Sequence, residues 1–450
     1  DSKVAVVQPR GRSGGGVRQA LNEQEGLYTL LLRGNEKGVR TDRRRVISCI
    51  SRCLNPQSDY EAYMECARNP HLRFIVSNTT EAGIVYDPAC RFEDQPADSF
   101  PGKLTQFLYE RFRTFGGEKG KGFVILPCEL IDDNGKELER CVLAYARQWK
   151  LGEAFGQWLR EENLFCSTLV DRIVTGYPAG AAEPICEELG YEDTAMDTGE
   201  VFASWVIEGP EGLKEELPFE KAALPVLVTH DHKPYKQRKV RILNGAHTAM
   251  VLGAYLAGRD IVRDCMRDEV IRGFMERAVY EEIIPTLTLP ERELREFAGA
   301  VTDRFDNPFI DHELLAISLN STSKWRARVL PSLKGYVDRF GKLPVCLTAS
   351  LAFYIAFYRG VRMEEGALIG KRGEEEYPIR DDERVLEFYF SHKEEESKAL
   401  TETVLSNIEF WGEDLTKIPG LCEEAAKDLE AIEKNGEYGV MERILNESGL

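Results

Sequence analysis

The sequence predicts an α/β protein with a Rossmann-like N-terminal domain and a mostly α-helical C-terminal domain. In the first third of the chain, short apolar segments alternate with segments of helical spacing, a pattern typical of a parallel sheet covered by helices on both faces. From about Arg241 onward the apolar residues recur mainly at helical intervals. We place the boundary where Pro225, Asp231 and Pro234 interrupt the pattern, so that the domains are residues 1–228 and 229–450.

The N-terminal domain is predicted to begin with a strand at residues 4–7. The glycine-rich stretch at residues 11–16 lacks the Gly-x-Gly-x-x-Gly spacing of a dinucleotide-binding loop, and no clean helix pattern follows it. We therefore expect a flexible loop rather than a phosphate-binding loop. Either the sheet does not bind a dinucleotide, or the strand and glycine loop of a dinucleotide-binding sheet lie upstream of this sequence. The remaining strands are predicted at residues 28–32, 46–50, 74–77 and 122–126. The helices are predicted at residues 59–67, 104–115 and 137–159, the last of them interrupted by Gly152.

The C-terminal domain is predicted to consist of helices joined by short connections. These helices are expected at residues 244–256, 262–282, 291–303, 310–318, 346–358 and 382–390. Residue His312 belongs to the predicted start of the fourth of them. The charged stretch at residues 364–382 contains glycines and a proline, and predicts a surface loop between the last two helices.

Composition excludes several classes of function. The formal net charge is −18, so the chain lacks the excess of Lys and Arg that a general nucleic-acid binder or a protein docked on an anionic membrane needs. No uncharged apolar run reaches the ~18 residues of a bilayer-spanning helix, and no secretory signal pattern opens the sequence. The 11 cysteines include no Cys-x-x-Cys pair, which indicates free thiols in the cytoplasm rather than a secreted disulfide framework.

The sharpest local pattern is formed by Lys239, Asn244 and His247. Asn244 is a suitable N-cap for the apolar helix that follows, and His247, three residues later, shares its face. A lysine desolvated among other cations can accept a hydroxyl proton, an asparagine amide can donate to an oxyanion, and a histidine can orient the substrate oxygen. Together they can interconvert an alcohol and a carbonyl without a metal ion. The alternative is a surface charge, a cap and a core histidine, a combination that is frequent near helix starts.

A possible metal site is formed by His230, Asp231 and His232. The two imidazoles point to the same side of an extended chain and flank a carboxylate, which is a ligand set that zinc accepts. No Cys/His set in the sequence has zinc-site spacing, however. We therefore expect a solvated turn before the C-terminal domain and no metal site.

Several segments, in order along nearly the whole chain, resemble one known family. Residues 239–248, Lys-Val-Arg-Ile-Leu-Asn-Gly-Ala-His-Thr, resemble the catalytic signature of the polyol-specific long-chain dehydrogenases, the mannitol dehydrogenase family. Four further segments are similar to that family: residues 76–83, 126–135, 169–173 and 304–308. The members that act on uronates are resembled most closely at residues 127–130, 280–285 and 320–331.

The resemblance implies an NAD-dependent oxidoreductase whose partner is a small sugar acid, and neither nucleic acid nor a membrane. Within the uronate branch it implies the interconversion of D-tagaturonate and D-altronate in hexuronate (galacturonate) catabolism. The epimeric pair fructuronate and D-mannonate is the nearest alternative, followed by another polyol. A catalytically silent α/β binding protein is the alternative from a different class. The first predicted strand ends in Gln8, Pro9 and Arg10, which suits a 2′-phosphate better than a ribose hydroxyl, but the resemblance implies NAD.

The resemblance also implies roles for individual residues. Lys239 is expected to act as the general acid/base beside Asn244 and His247. Asn134 matches the asparagine of the family's Asn-Gly pair and is the candidate for a second amide at the oxyanion; at Glu129 and Leu130 the family has Asp and Asn, so no such role is carried over there.

The remaining expected site residues bind the substrate and the cofactor. Lys324 and Arg328 lie four residues apart in a helix-compatible segment and can hold the substrate's carboxylate from one helix face. The cofactor is expected to contact the segment after the strand at 74–77, at Asn78, Thr79 and Glu81.

Overall fold

The computed structural model describes residues 3–8, 16–80 and 82–447. Its chain divides into two compact units, the first made of Asp1–Arg33 and Thr41–His232 and the second of Gly34–Arg40 and Lys233–Leu450. The division after His232 lies close to the sequence-based boundary at residues 228 and 229. The sequence does not reveal that the short segment Gly34–Arg40 belongs with the C-terminal part of the chain.

The first unit contains twelve strands among its described residues. They are β1 Val4–Val7, β2 Tyr28–Glu36, β3 Val39–Ile47, β4 Ile50–Leu54, β5 Phe74–Ser77, β6 Val124–Pro127, β7 Leu164–Phe165, β8 Thr168–Asp171, β9 Val174–Gly176, β10 Asp197–Glu200, β11 Ser204–Glu208 and β12 Val226–Thr229; the hairpin of β2 and β3 carries the segment Gly34–Arg40 at its turn. The helices are α1 Val17–Glu23, α2 Tyr60–Arg68, α3 Phe100–Phe115, α4 Asn134–Gln148, α5 Glu153–Glu162, α6 Ala182–Leu189 and α7 Leu213–Glu216, and a 3₁₀ turn spans Phe219–Ala222.

Parallel pairing dominates the part of this unit that positions the candidate cofactor residues. Strands β5, β6 and β7 form a parallel sheet in which Phe74 pairs with Val124 and Ser77 pairs with Pro127. Strand β6 is apolar throughout because both of its faces are buried. Ile125 packs towards helices α2–α5 on one face, whereas its neighbour Val124 packs towards β11 and β12 on the other.

The other sheets described in the first unit have two, three and four strands. Strand β1 pairs with β4, β10 pairs with β2 and β11 pairs with β12, all in parallel. Strands β8 and β9 run antiparallel to β11 and β10 respectively, so these sheets are mixed. The sequence predicted a parallel sheet only, because the antiparallel strands are short and carry no alternation that distinguishes them.

Two local predictions in this unit are wrong, and one predicted interruption is present. The strand expected at residues 46–50 is the junction of two strands, β3 and β4. The helical stretch expected at residues 137–159 is interrupted as predicted: α4 ends at Gln148, and Gly152, with a φ of 95°, directly precedes α5. A helix, α1, does follow the glycine-rich stretch and begins directly after Gly16; the loop predicted at 11–16 otherwise lies outside the described residues, as do Pro9 and Arg10.

The second unit is mainly helical. Its helices are α8 Lys233–Arg238, α9 Gly245–Leu256, α10 Val262–Arg267, α11 Glu269–Arg277, α12 Glu291–Phe305, α13 Leu314–Ser318, α14 Ser321–Arg328, α15 Leu330–Phe340, α16 Val345–Phe357, α17 Glu383–Ser391, α18 Ser397–Leu405, α19 Ile408–Trp411 and α20 Leu421–Glu447. Two segments are π-helical, Lys239–Asn244 and Ala278–Ile283, and two are 3₁₀ turns, Ile284–Thr286 and Leu415–Lys417.

The core of this unit is built around α9 and α16. Both helices are apolar on all sides, which is typical of a helix surrounded by others, and they pack against each other and against α20. Gly253 permits this approach, since a Cβ there would lie 2.6 Å from the ring of Phe353 and 2.7 Å from Met441. Within the described residues, no helix has the length and apolar composition that crossing a bilayer requires.

The loop predicted at residues 364–382 is wrong. Strands β13 Gly360–Glu364, β14 Ala367–Arg372 and β15 Glu375–Ile379 form an antiparallel sheet there. The middle strand buries Leu368 and Ile369. Charged residues dominate the composition around this short apolar pair, so composition alone predicts a loop.

Candidate active site

The segment that carries Lys239 and Asn244 is a π-helix inserted between α8 and α9. In a π-helix the backbone bonds join residues five apart, and such insertions occur frequently at functional sites. Lys239 and Asn244 are five residues apart, so they lie about one turn apart along the same side of this segment. The spacing Lys-x4-Asn therefore matches the local backbone, and His247 follows in the first turn of α9.

Arg241 anchors this π-helix to its surroundings. Its Nε donates to Ser332 Oγ at 2.6 Å, and Nη2 lies 3.4 Å from Thr286 Oγ1. Burial lowers the pKa of Arg241 to about 10. A buried arginine held by two other elements restricts the path of the backbone from Lys239 to Asn244.

Asn244 does not cap α9, contrary to the prediction. Its backbone is helical, with φ −73° and ψ −32°, and its side chain makes no capping bond because the π-helix runs directly into α9. Among the described residues the amide of Asn244 has no hydrogen-bond partner. It is half-buried, and both of its N–H groups are available to a ligand oxygen.

His247 is held between two aromatic rings. Phe305, at the end of α12, stacks on it with 3.9 Å between the ring centroids and 10° between the planes, and the ring of His312 stands nearly perpendicular to it at 5.5 Å. Its Nε2 is sealed from solvent and has no hydrogen-bond partner in the described part of the chain. Burial, followed by the nearby His312 and Arg328, holds the pKa of His247 well below its usual value, so the ring is neutral at pH 7.

Lys324 and Arg328 both lie on α14 in half-buried positions near His247. Lys324 Nζ donates to the carbonyl of Ile317 at 2.8 Å, and Arg328 Nη1 lies 3.5 Å from Thr248 Oγ1 on α9. Burial lowers the pKa of both side chains. Among the described residues, no carboxylate forms an ion pair with Lys324 or Arg328. Asp381 raises the pKa of Lys324 slightly, but burial and Arg328 outweigh it.

Gly245 brings this cation-bearing helix against the π-helix. A Cβ at Gly245 would lie 3.2 Å from the carbonyl oxygen of Arg328, tighter than most real side-chain contacts. The absence of a side chain at this position therefore lets the end of α14 approach the residues between Lys239 and His247.

Asn134 is occupied elsewhere, which argues against the oxyanion role predicted for it. The side chain is buried, and its Nδ2 lies 3.0 Å from each of the carbonyl oxygens of Pro127, Glu129 and Thr168. Its Oδ1 accepts from the backbone of Thr168 at 2.8 Å. The amide thus ties the end of β6 to β8, and all its donors are already engaged.

The candidate cofactor residues lie at the carboxyl end of the parallel sheet, where ligands bind in doubly wound folds. Thr79 directs both its N–H and its hydroxyl to Glu129 Oε1, at 3.0 and 2.9 Å, and Ser77 Oγ donates to the other oxygen of that carboxylate. Asn78 is exposed, and its amide makes no hydrogen bond among the described residues. The amide of Asn78 is therefore available to a ligand at this edge, whereas Thr79 is engaged by Glu129. Glu81 lies outside the described residues.

Comparison with known proteins places the chain in a family. Residues 2–221 match the model of the mannitol dehydrogenase Rossmann domain, and residues 231–433 match that of the mannitol dehydrogenase C-terminal domain. Altronate oxidoreductases of Escherichia coli O7:K1 and Shigella flexneri are each 48% identical to it over 443 residues, which cover 97% of this chain and 89% of theirs. The chain belongs to the mannitol dehydrogenase family.

Solved structures of this family share the fold. A substrate-free D-sorbitol dehydrogenase superposes with a TM-score of 0.78 at 20% identity, over 98% of this chain and 88% of that one. The mannitol 2-dehydrogenase of Pseudomonas fluorescens, solved as a ternary complex with NAD and D-mannitol, gives a TM-score of 0.61 at 21% identity, over 95% of this chain and 85% of that one. The predicted fold class, a Rossmann-like domain followed by a mostly helical domain, is confirmed.

Two residues of the candidate site were not predicted from the sequence. Phe305 lies in a segment quoted for its resemblance only, and nothing in the sequence shows that its ring covers His247. His312 was predicted to start a helix, but α13 begins only at Leu314. The backbone around His312 is extended instead, because Glu313 forms a β-bridge with Ile261. Two histidines 65 positions apart give no signal in a single sequence.

The possible metal ligands are only partly brought together. Ligand atoms of Glu208, Asp231 and His232 lie within 4.8 Å of one another, and His230 is not among them. His232 Nδ1 is 2.6 Å from Glu208 Oε2, and Lys136 Nζ lies 3.5 Å from the other carboxylate oxygen. The ammonium group beside Glu208 opposes a divalent cation there, so the expectation of no metal stays a prediction.

Proposed function

We propose that this protein is an NAD-dependent altronate oxidoreductase, which interconverts D-tagaturonate and D-altronate in hexuronate catabolism in the cytoplasm. The observation that carries the substrate class is the pair of half-buried cations, Lys324 and Arg328, beside His247. A keto-uronate brings a permanent negative charge that two cations without an ion-pair partner among the described residues can match, whereas a neutral polyol brings none. The altronate oxidoreductases at 48% identity support the same substrate.

Residues 229–450 form the substrate and catalytic domain in this proposal. During reduction the carbonyl carbon gains a hydride and its oxygen gains a proton from Lys239 Nζ; during oxidation the neutral lysine takes that proton back. The unoccupied amide of Asn244 donates to the oxygen as negative charge develops on it. His247, neutral through burial, is the residue that fixes the orientation of the substrate oxygen.

Residues 1–228 form the cofactor domain. Asn78 would hold the dinucleotide from the carboxyl end of β5, with Thr79 fixed behind it by Glu129. When bound, NADH supplies the hydride for ketone reduction, and NAD accepts it in the reverse direction. The family match and the NAD complex of the mannitol 2-dehydrogenase support this cofactor.

The deciding experiment measures NADH consumption with D-tagaturonate, D-fructuronate and D-fructose in parallel. We expect kcat/KM for tagaturonate to exceed that for fructose by at least about tenfold, the effect of one charge-assisted contact. A higher value for fructuronate would reassign the protein to the epimeric pair. No NADH oxidation with any of the three would leave the catalytically silent binding protein as the interpretation.

The lysine is tested in the same assay. Lys239→Ala should lower kcat by about 10²–10⁴-fold, the range typical of general acid–base catalysis, while NADH binding measured by fluorescence is unchanged. Lys233→Ala, an exposed lysine on the preceding helix, is the matched control and should retain activity. Turnover near the wild-type value in Lys239→Ala would remove the lysine from the mechanism.

A further inference from the structure

A third basic side chain, His312, lies among the groups that surround His247. Its ring is half-buried and stands at 88° to that of His247, with 5.5 Å between the centroids. Lys324 is close enough to lower the pKa of both imidazoles. His247 lies on α9, Lys324 and Arg328 lie on α14, and His312 lies in the segment between α12 and α13, so basic groups from three elements surround one small region.

The backbone of His312 is fixed. Its carbonyl accepts from Val262 N–H at 3.0 Å, and the next residue, Glu313, forms the β-bridge with Ile261. The preceding residue, Asp311, is paired with Arg263. The imidazole itself makes no hydrogen bond to any described residue. The fold thus holds a hydrogen-bonding ring in a defined place and leaves its nitrogens without a partner.

We propose that His312 is a specificity-determining residue, whose imidazole N–H donates a hydrogen bond to the carboxylate of the sugar-acid substrate held by Lys324. This inference rests on the proposed function and names one more group that distinguishes a keto-uronate from a neutral ketose. Lys324 donates one of its N–H groups to the carbonyl of Ile317. It can therefore bind a carboxylate together with a neighbouring donor. Burial and Lys324 both lower the pKa of His312, so near pH 7 the ring acts as a neutral donor rather than as a third positive charge.

A packing role is the other explanation for His312, since its ring contacts that of His247. The two explanations differ in what a substitution changes. If His312 only packs against His247, any ring of similar shape can replace it. Loss of that packing would lower the activity with every substrate, because the proposed role of His247 concerns the part of the sugar that all substrates share. A hydrogen bond to the carboxylate needs a donor, and its loss affects only substrates that carry the carboxylate.

The test therefore separates shape from hydrogen bonding. His312→Phe keeps a ring against His247 without a donor, and His312→Asn keeps a donor without the ring. His312→Leu, which matches asparagine in size, provides the comparison if the phenylalanine variant does not fold. Steady-state kinetics with D-tagaturonate and D-fructose give KM and kcat for each variant, and His71→Phe, at an exposed histidine of the first unit, is the control. Thermal stabilisation of the NADH complex by D-altronate or D-mannitol gives a second readout that needs no turnover.

We expect His312→Phe and His312→Leu to raise KM for tagaturonate by about tenfold or more, with kcat changed less than about threefold and the kinetics with fructose unchanged. His312→Asn should have a KM for tagaturonate close to that of the wild type. In the two variants that lack a donor, the thermal stabilisation by altronate should decrease, whereas the stabilisation by mannitol should not change. Equal losses with both sugars, or an unchanged KM for tagaturonate, would overturn the role of His312 and leave the proposed function standing. A wild-type protein that reduces no keto-uronate would overturn the proposed function itself.

Discussion

Replacement of Glu282 should change how the stability of the protein depends on pH. This carboxylate is buried in the π-helix Ala278–Ile283, where Oε1 accepts from the backbone of Cys346 at 2.8 Å and Oε2 from that of Leu347 at 2.9 Å. It therefore caps the first turn of α16, the central helix of the second unit, from another element. Burial raises the pKa of Glu282 to about 7 from 4.5, although the two backbone donors and Arg277 partly oppose the shift.

The direction and size of the change in stability follow from this raised pKa. In the unfolded chain the carboxyl loses its proton near 4.5, whereas in the folded protein it retains the proton up to about 7. The folded state therefore binds more protons in this interval, and the free energy of unfolding falls as the pH rises through it. A shift of about 2.5 units corresponds to roughly 3 kcal/mol. Glu282→Gln cannot ionise, so its free energy of unfolding should lack this decrease between pH 4.5 and pH 7.

Urea unfolding at pH 5, 6, 7 and 8, followed by far-UV circular dichroism, measures the effect. Between pH 5 and pH 8, the free energy of unfolding of Glu282→Gln should increase by up to about 3 kcal/mol relative to that of the wild type, whatever its value at pH 5. Glu281→Gln, at the exposed neighbouring carboxylate, should follow the wild-type profile. If wild type and Glu282→Gln show parallel profiles, the carboxyl of Glu282 is ionised at both ends of the range and the reasoning from its burial is wrong.

Two further predictions concern the site. Arg328→Ala should raise KM for tagaturonate about ten- to a hundredfold, the range for a charge-assisted contact, while the reaction with fructose is unchanged; equal losses with both sugars would mean that Arg328 supports the packing of α14 against α9 instead. Activity should survive exhaustive dialysis against EDTA, because the proposed acid–base group is a lysine rather than a metal-bound water. Loss of activity on chelation, with recovery when zinc is added, would indicate a metal site at Glu208, Asp231 and His232.

The sequence predicts those features that depend on local pattern. The apolar run of β6 indicates a strand buried on both faces, and α9 and α16 are recognisable as helices, because a few neighbouring residues determine each of them. The sheet β13–β15 was predicted as a loop because its buried pair, Leu368 and Ile369, is surrounded by charges that face outward. Its formation depends on cross-strand pairing, which no local count of residue types records.

In the candidate site, too, the sequence predicts only what a local pattern determines. The spacing of Lys239, Asn244 and His247 is visible in the sequence, and so is the helical spacing of Lys324 and Arg328. The engagement of Asn134 with three carbonyls is not, because it requires β6, α4 and β8 to meet. The contact of His312 with His247 likewise depends on the β-bridge between Glu313 and Ile261. Residues whose environment comes from distant segments were therefore misassigned or missed.

The π-helix gives a physical reason for the spacing of the catalytic motif. In a regular α-helix each residue advances about 100°, so residues five apart would be separated by about 140° around the axis, and Lys239 and Asn244 would face different directions. Backbone bonds between residues five apart close a wider turn and return Asn244 to the side of Lys239. From Asn244 onward the helix is regular, and a step of three residues again returns to nearly the same side, which is where His247 lies. The motif Lys-x4-Asn-x2-His thus describes one wide turn followed by one ordinary turn, and its first interval would place the two side chains apart on any uninterrupted α-helix.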